Sequence, residues 1–324
     1  MNIKKILIIL GEPNSTFSEI LLKYFNSNNF KNTSSKIILI GSFDLLSEQI
    51  KFLKYKNRLN KILDVNHALK KKINMLNVNY KFNKAFSNIS DKSNKYIEDC
   101  FKLGLKIMKK NKSIVLINGP ISKENFLKKK FPGITEYVAK KTSSKDPVML
   151  IYNEKLAVSP LSTHIPINRV SKFVKKTRII NNVIKINNFY KSKIGKKPKI
   201  AVLGLNPHCE SINKISEEKN EIIPAVKYLF KNKINISGPI AADTFFLDKN
   251  IKKFDVVIGM YHDQVLTPVK TLFKFNAINI TIGLPFLRIS PDHGPNYKMF
   301  GLNKSNPDSL IQAFKFLNRY AVKT

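Results

Sequence analysis

Short apolar runs that alternate with longer amphipathic segments are the feature that most restricts how this chain can fold. The runs have the length of buried strands, and the segments between them have helical periodicity. Such alternation is typical of an α/β protein with a mainly parallel sheet. The expected strands are 3–10, 36–40, 113–117, 148–152, 199–203, 256–260 and 277–281. The expected helices include 18–25, 45–55, 95–109, 167–189, 222–231 and 309–321.

The length of 324 residues suits one large or two medium α/β domains. The run 6–10 is too short for the apolar part of a signal peptide, and no apolar stretch approaches the ~20 residues that a membrane span needs. Two cysteines are consistent with a reducing compartment. We therefore expect a soluble, cytoplasmic protein without a membrane partner. The Lys- and Asn-rich segment 56–93 is expected to hold a small hairpin or a mobile surface stretch.

The net charge of +35, from 57 Lys and Arg against 22 Asp and Glu, raises the question of a nucleic-acid partner. The lysines are spread along the whole chain, with no basic tail and no interleaved aromatic residues. Arginine, the better bidentate phosphate ligand, is scarce. This pattern favours a solvated Lys-rich surface over a nucleic-acid surface, although the surplus charge would still attract small anions.

Three of the five histidines follow apolar runs. His164 comes after the run 155–158, His208 after the expected strand 199–203, and His262 after 256–260. Open α/β sheets place ligands and catalytic groups at the carboxyl ends of their strands. Three neutral imidazoles at one point would form an open site for Zn²⁺ or another divalent transition ion, with a position left for a substrate oxygen. A single histidine in such a place is more often a capping or core-edge residue, and spacing alone does not show that the three converge.

Other polar residues stand near these points. Arg288 lies between apolar residues after the strand 277–281 and suits a phosphate or carboxylate. Asp243 follows a Gly-Pro turn and could serve only as a helix N-cap. Lys123 follows the strand 113–117, where it could reach an anion or simply lie on the surface. No Gly-x-Gly-x-x-Gly motif or P-loop is present, so an ordinary Rossmann dinucleotide site is not supported.

A set of short motifs occurs in one order along the chain and, taken together, resembles the 4-hydroxythreonine-4-phosphate dehydrogenase family of pyridoxal phosphate biosynthesis. The motifs cover nearly the whole sequence, and their ordered set is far more specific than any single one. They are 11–13 with Glu19, 119–123, 133–136, 163–166, 204–208, 238–239 with 242–244, 260–264, 279–281, 283–288 and 292–294.

The resemblance implies an α/β fold like that of isocitrate and isopropylmalate dehydrogenases, with two α/β domains and a cleft between them. We expect residues 1–145 plus about 300–324 to form the first domain, and 146–299 to form the second, which carries most metal and cofactor motifs. The resemblance also implies a homodimer with its active site at the subunit interface, so the three metal histidines need not come from one chain.

The family's functional residues carry over to matching positions. The resemblance implies a divalent metal, with Zn²⁺ as first candidate and Mg²⁺ or Co²⁺ as alternatives, on His164, His208 and His262. These three histidines and Lys270 form the expected catalytic set. The expected substrate contacts are Thr135, Lys270, Asn279 and Arg288. The expected contacts of the cofactor, NAD or NADP, are Asn206, Asp243, Asp292 and His293.

The reaction that the resemblance implies is oxidation of 4-(phosphooxy)-L-threonine by NAD with decarboxylation to 3-amino-2-oxopropyl phosphate. One alternative is a related metal-dependent dehydrogenase of a phosphorylated four-carbon sugar acid, such as threonate or erythronate phosphate, or of a cyclic diol acid. A further alternative is an inactive relative that binds anions or nucleic acid.

The sequence departs from the family pattern at four places. Residues 14–19 read Asn-Ser-Thr-Phe-Ser-Glu where the family usually has Ala-Gly-Ile-Gly-Pro-Glu. Ile134 stands where the family has a histidine that contacts substrate, and Ile cannot donate a hydrogen bond. A Gly-rich stretch after His208 is replaced and shortened, and 295–297 replace the usual Thr-Ala. These departures bear on the substrate's identity more than on the metal ligands.

Overall fold

A computed structural model describes residues 4–111, 113–128, 130–210, 215–291 and 294–320 of the chain. Within these residues the strands are β1 (Lys5–Ile9), β2 (Lys36–Gly41), β3 (Leu59–Ile62), β4 (Ile73–Asn77), β5 (Ile114–Asn118), β6 (Val148–Tyr152), β7 (Ala157–Pro160), β8 (Ile200–Leu203), β9 (Ile236–Ile240), β10 (Val256–Gly259), β11 (Ile278–Ile282) and β12 (Arg288–Pro291).

Helices follow most of these strands, as the alternation of the sequence predicts. They are α1 (Phe17–Phe25), α2 (Asn28–Lys31), α3 (Phe43–Phe52), α4 (Asn94–Lys110), α5 (Ile134–Lys141), α6 (Val170–Phe173), α7 (Lys176–Phe189), α8 (Ile223–Lys231), α9 (Ala242–Phe245), α10 (Asp248–Ile251), α11 (His262–Phe273) and α12 (Asp308–Tyr320). Among the described residues, no helix is both long enough and apolar enough to cross a membrane.

The chain divides into two compact units. The first comprises Met1–Lys145 and Leu284–Thr324, and the second comprises Asp146–Gly283, whereas the sequence prediction placed the second boundary near residue 300. In the first unit the strand order is β3-β4-β2-β1-β5-β12, with parallel pairing throughout. In the second unit the order is β11-β6-β7-β10-β8-β9. There β6 pairs antiparallel with both neighbours, and the remaining pairs are parallel.

The core of each unit explains why the apolar runs form central strands. In β1 the residues Ile6 to Ile9 are all fully buried, which is typical of a parallel strand covered on both faces. In the first unit Leu7, Ile9 and Leu116 share one apolar cluster with Phe101 of α4. In the second unit Val158, Leu203 and Val257 share another with Val265 and Val269 of α11. These clusters fix the carboxyl ends of the strands, where the candidate site residues follow.

All seven expected strands are present, and their ends agree to within two residues. The single helix expected over 167–189 is wrong, because Val174 and Lys175 are extended and separate α6 from α7. The hairpin expected within 56–93 is also wrong, since β3 and β4 pair in parallel. The buried amide of Asn74 holds the connection between β3 and β4 in place. It accepts from the Leu69 N–H, and it donates to the carbonyls of Leu69 and of Ile37 on β2.

Candidate active site

The three predicted metal ligands follow three neighbouring strands. β10 lies between β7 and β8 and is parallel to both. Since the carboxyl ends of parallel strands meet at one edge of a sheet, the loops after these strands share that edge. His164 lies beyond β7, His208 lies beyond β8, and His262 begins α11 directly after β10. The topology therefore brings all three histidine loops to one side of the second unit.

Hydrogen bonds join these three loops to one another. The Ser162 hydroxyl donates to the Met260 carbonyl at 2.8 Å, which ties the loop of His164 to that of His262. The Gln264 side chain accepts from the Met260 N–H at 2.7 Å and donates to the Gly204 carbonyl at 2.7 Å, which adds the loop of His208. Gln264 was not predicted as a functional residue, although it lies in the motif 260–264 that contains His262.

Each of two histidines lies beside a carboxylate. His262 Nδ1 is 2.6 Å from Asp263 Oδ1, and His208 Nδ1 is 3.4 Å from Asp243 Oδ2. A carboxylate partner on one ring nitrogen orients an imidazole and leaves the other nitrogen as a metal ligand. Asp243, predicted as a cofactor contact, thus lies against a predicted metal ligand, and its helix has no side-chain cap bond.

The fit of this arrangement to a divalent ion is partial within one chain. The rings of His164 and His262 have centroids 6.1 Å apart, near the roughly 5–6 Å expected of two imidazoles that share one Zn²⁺. His208 is 70% exposed at its side chain. Within the part of the chain that the structure describes, no three or more His, Cys, Asp or Glu side chains form a group that could hold a metal. The donor type suits a transition ion, and the three-histidine site stays a prediction.

The loop before His208 is anchored by a buried carboxylate. Glu218 accepts from the backbone N–H groups of Leu205 and Asn206 at 2.8 Å each and from the Asn206 side chain at 2.7 Å. Burial alone would raise the pKa of Glu218, but these hydrogen bonds outweigh it and hold the pKa below its usual value. At Gly204 a Cβ would meet the Cys209 sulfur at 2.6 Å, so this glycine allows the loop to pack closely. The Asn206 amide, predicted to contact the cofactor, is therefore used within the loop.

A fully buried arginine forms a second polar centre, in the first unit. Arg288 is 0% exposed; its Nε donates to Asn118 Oδ1 at 2.8 Å and its Nη1 to Thr135 Oγ1 at 3.1 Å. Burial lowers the pKa of Arg288 to about 10, and the nearby Glu136 charge opposes that shift. The side chain is still cationic at neutral pH, so this centre can bind an anion.

The residues around Arg288 come from elements of the same unit. Asn118 ends β5, and Arg288 begins β12, which pairs in parallel with β5. Thr135 lies in the first turn of α5, and Ile134 before it packs against the apolar cluster of the unit. Asn118 was missed as a site residue, although it directly follows the expected strand 113–117 and begins a family motif.

The other predicted substrate contacts belong to the second unit. Asn279 lies on β11, and its Oδ1 is buried and accepts no hydrogen bond from the described residues. Lys270 is exposed on α11. Thr135 and Arg288 are thus in contact within the first unit. Asp292 and His293, predicted as cofactor contacts, lie outside the described residues.

Comparison with known proteins gives one family. A family model described as "Pyridoxal phosphate biosynthetic protein PdxA" matches residues 33–317. The chain is 38% identical over 313 residues to the 4-hydroxythreonine-4-phosphate dehydrogenase of Sulfurihydrogenibium sp., covering 95% of this chain and 96% of that protein. It is 35% identical over 319 residues to the enzyme of the same name from Aquifex aeolicus, covering 97% of each.

Solved structures agree on the fold. The crystal structure of 4-hydroxythreonine-4-phosphate dehydrogenase from Klebsiella pneumoniae superposes with a TM-score of 0.84 at 24% identity, covering 98% of this chain and 99% of that one. Isocitrate dehydrogenase from Methylococcus capsulatus superposes with a TM-score of 0.50 at 10% identity, covering 98% and 85%. The prediction of an α/β fold like that of isocitrate dehydrogenase is confirmed.

Proposed function

The chain belongs to the PdxA family of pyridoxal phosphate biosynthetic proteins, and from that premise we propose that it is a 4-hydroxythreonine-4-phosphate dehydrogenase. The proposed reaction is oxidation of 4-(phosphooxy)-L-threonine by NAD or NADP, with decarboxylation to 3-amino-2-oxopropyl phosphate. The observation that supports it best is the buried cation of Arg288, oriented by Asn118 and Thr135, because a phosphorylated acid needs a fixed positive charge.

The bonds that change in this reaction are few. The carbon that bears the hydroxyl loses its hydrogen as hydride to the nicotinamide ring, and the hydroxyl loses its proton, which gives a β-keto acid. The bond to the carboxylate carbon then breaks, its electron pair moves toward the ketone, and CO₂ leaves. A proton then adds to the α-carbon, which bears the amino group and has lost CO₂, and this completes the amino ketone. We propose that Arg288, Thr135, Lys270 and Asn279 hold the substrate during these steps.

We propose that the histidines His164, His208 and His262 hold a divalent ion, with Zn²⁺ as first candidate and Mg²⁺ or Co²⁺ as alternatives. Such an ion, when bound, acts as a Lewis acid toward a substrate oxygen. The chain's own part is to fix the imidazoles: Asp263 orients His262, Asp243 lies beside His208, and Gln264 joins the loops. We further propose, on family membership, a homodimer that contributes residues from both subunits to each site. The cofactor contacts proposed are Asn206, Asp243, Asp292 and His293.

The test is an activity measurement on the purified, metal-loaded protein with each cofactor. 4-(Phosphooxy)-L-threonine should give metal-dependent reduction of NAD⁺ or NADP⁺, followed by absorbance, and a product with the mass of 3-amino-2-oxopropyl phosphate. Threonate phosphate, erythronate phosphate and a cyclic diol acid are the competing substrates. Turnover of one of these, with none of the first, would overturn the substrate assignment. Salt-dependent binding of a polynucleotide with no turnover at all would instead indicate the inactive relative.

A further inference from the structure

A small cavity lies in the first unit, at the carboxyl ends of β1 and β2 and apart from Arg288's hydrogen-bond partners. Its apolar wall includes Leu10, Leu45 and Leu46, and it has room for about one occupant of the size of a water molecule. The polar residues that line it are Glu12, Ser15, Ser18, Ser42, Gln49 and Tyr96. Ser15, Ser42 and Tyr96 already form hydrogen bonds with backbone groups, so an occupant would use the remaining acceptor capacity of their oxygens.

Glu12 places a carboxylate in this cavity without a charged partner. The residue is 1% exposed, and its oxygens accept from the Asn14 N–H at 3.3 Å and from the Ser93 hydroxyl at 3.2 Å. Across the described residues, no Lys, Arg or His forms an ion pair with it. Two long hydrogen bonds use only part of a carboxylate's capacity as an acceptor. A buried anion in this state is unfavourable unless a positive charge joins it.

Ser18 supplies a second, independent sign of an occupant. It is 7% exposed, and its Oγ is buried with no hydrogen-bond partner in the described part of the chain. A buried hydroxyl left in this way costs free energy, which a bound ligand would recover.

We propose that this cavity binds one monovalent cation of the K⁺, Na⁺ or NH₄⁺ class through the Glu12 carboxylate and the surrounding neutral oxygens. The charge balance requires one positive charge, and the lining offers one carboxylate with hydroxyl and amide oxygens. A divalent ion would leave a surplus positive charge beside a single carboxylate. Ca²⁺ usually takes several carboxylates, and Mg²⁺ keeps several waters for which the cavity has no room, so neither suits this lining.

Protonation competes with the cation. Burial, opposed by the hydrogen bonds from Asn14 and Ser93, raises the pKa of Glu12 to about 7. The titratable groups that face it are the phenols of Tyr80 and of Tyr96 on α4, and burial raises the pKa of both further above 10. Neither is charged near neutral pH, so Glu12 alone sets the pH dependence. Cation affinity should therefore fall about tenfold for each pH unit below 7.

The test compares thermal unfolding of the full chain at pH 8 in KCl, NaCl or NH₄Cl with that in choline chloride at the same concentration. Constant chloride removes the anion effect of a chain with 57 Lys and Arg residues. At tenfold excess over the dissociation constant, at least one small cation should raise Tm by about 2 °C. Glu12→Gln should abolish the difference, and Ser18→Ala should reduce it. Glu98→Gln changes a partly exposed carboxylate paired with Lys141; it is the matched control and should retain the difference in Tm.

A crystal soaked in Rb⁺ should show an anomalous peak about 3 Å from the Glu12 carboxylate. Equal Tm in all four salts, or a cation effect that persists in Glu12→Gln, would overturn the proposal. If water and a proton fill the cavity instead, the signature differs. Because its pKa is raised, Glu12 contributes stability to the wild type that is fully present below pH 4.5. That contribution is lost as pH rises through about 7. Above pH 7, Glu12→Gln would therefore gain stability relative to the wild type in every salt. None of these readouts depends on dehydrogenase activity.

Discussion

The two polar centres of the molecule differ in how completely the chain builds them. Arg288 in the first unit is 0% exposed, and Asn118 and Thr135 fix its guanidinium. In the second unit the side chains of His208 and His262 are 70% and 34% exposed, although hydrogen bonds connect their loops. The first centre is preorganised by the fold alone, whereas the second presents ligands whose final arrangement depends on what binds them.

The two centres therefore differ in the desolvation free energy that the chain loses when it folds. A buried guanidinium is desolvated in the folded chain, and the lowered pKa of Arg288 reflects that penalty. The penalty is already present before a substrate arrives, so an anion that reaches the guanidinium offsets a cost that folding has already incurred. The exposed imidazoles lose less hydration when the chain folds, and they contribute to activity only when a ligand is bound. We therefore expect substitutions in the two units to differ in how their effect on activity compares with their effect on stability.

Arg288→Met should produce the largest loss of activity. It removes the buried charge while roughly keeping the side chain's length, so kcat/KM for 4-(phosphooxy)-L-threonine should fall about 10³-fold, equivalent to about 4 kcal/mol. The change removes a desolvation penalty but leaves the buried oxygens of Asn118 and Thr135 without their donor, so Tm should fall by a few degrees. Steady-state kinetics and calorimetry on the same preparation measure both effects.

Arg288→Lys is the matched control for charge. It keeps the cation but cannot donate to Asn118 and Thr135 in the same fork, so kcat/KM should fall less than in the Met variant and stay well below the wild type. A loss of less than tenfold in Arg288→Met would contradict the view that this centre holds the substrate's anion.

His262→Ala tests the second centre and should have the next largest effect. Loss of one imidazole should lower metal-dependent kcat about 10²-fold and reduce bound metal measured by mass spectrometry, because His164 would lose the imidazole whose centroid lies 6.1 Å away. Tm of the metal-free protein should stay within about 1 °C of the wild type, since the side chain is partly exposed. His67→Ala, an exposed histidine of the first unit, should leave kcat and metal content unchanged. Full metal content in His262→Ala would refute this ligand.

Gln264→Leu should lower activity less than His262→Ala does. It tests whether activity depends on the hydrogen bonds that connect the histidine loops. The change removes the bonds to the Met260 N–H and the Gly204 carbonyl, so kcat should fall about tenfold. Asn74→Leu removes a comparably bonded amide from the first unit and controls for stability. Both variants should have a lower Tm than the wild type, but only Gln264→Leu should also have a lower kcat and a lower metal affinity. Equal kinetic losses in the two would assign Gln264 a purely structural role.

The sequence was most informative where local pattern and tertiary structure agree. Apolar runs such as 6–9 became buried strands because burial on both faces favours β-branched and aliphatic residues at every position. The break at Val174 and Lys175 and the parallel pairing of β3 with β4 were missed, because neither is encoded in a local periodicity. Asn118 and Gln264 were missed for a related reason: each acts through a partner far away in sequence, Arg288 or Gly204, which only the fold brings near.

Ile134→His should give the smallest effect and would refine the comparison between the two centres. Ile134 begins α5 next to Thr135, at the position where the family pattern has a histidine, and it packs against the apolar cluster of the first unit. A histidine here should add one hydrogen bond to the substrate and lower KM for 4-(phosphooxy)-L-threonine about three- to tenfold, with kcat nearly unchanged. It should also lower Tm by a few degrees, because a polar ring replaces packed aliphatic surface. Ile134→Gln controls for polarity without the imidazole. If Ile134→His raises KM for this substrate but lowers it for a sugar-acid phosphate, the isoleucine is a determinant of substrate choice rather than a tolerated loss.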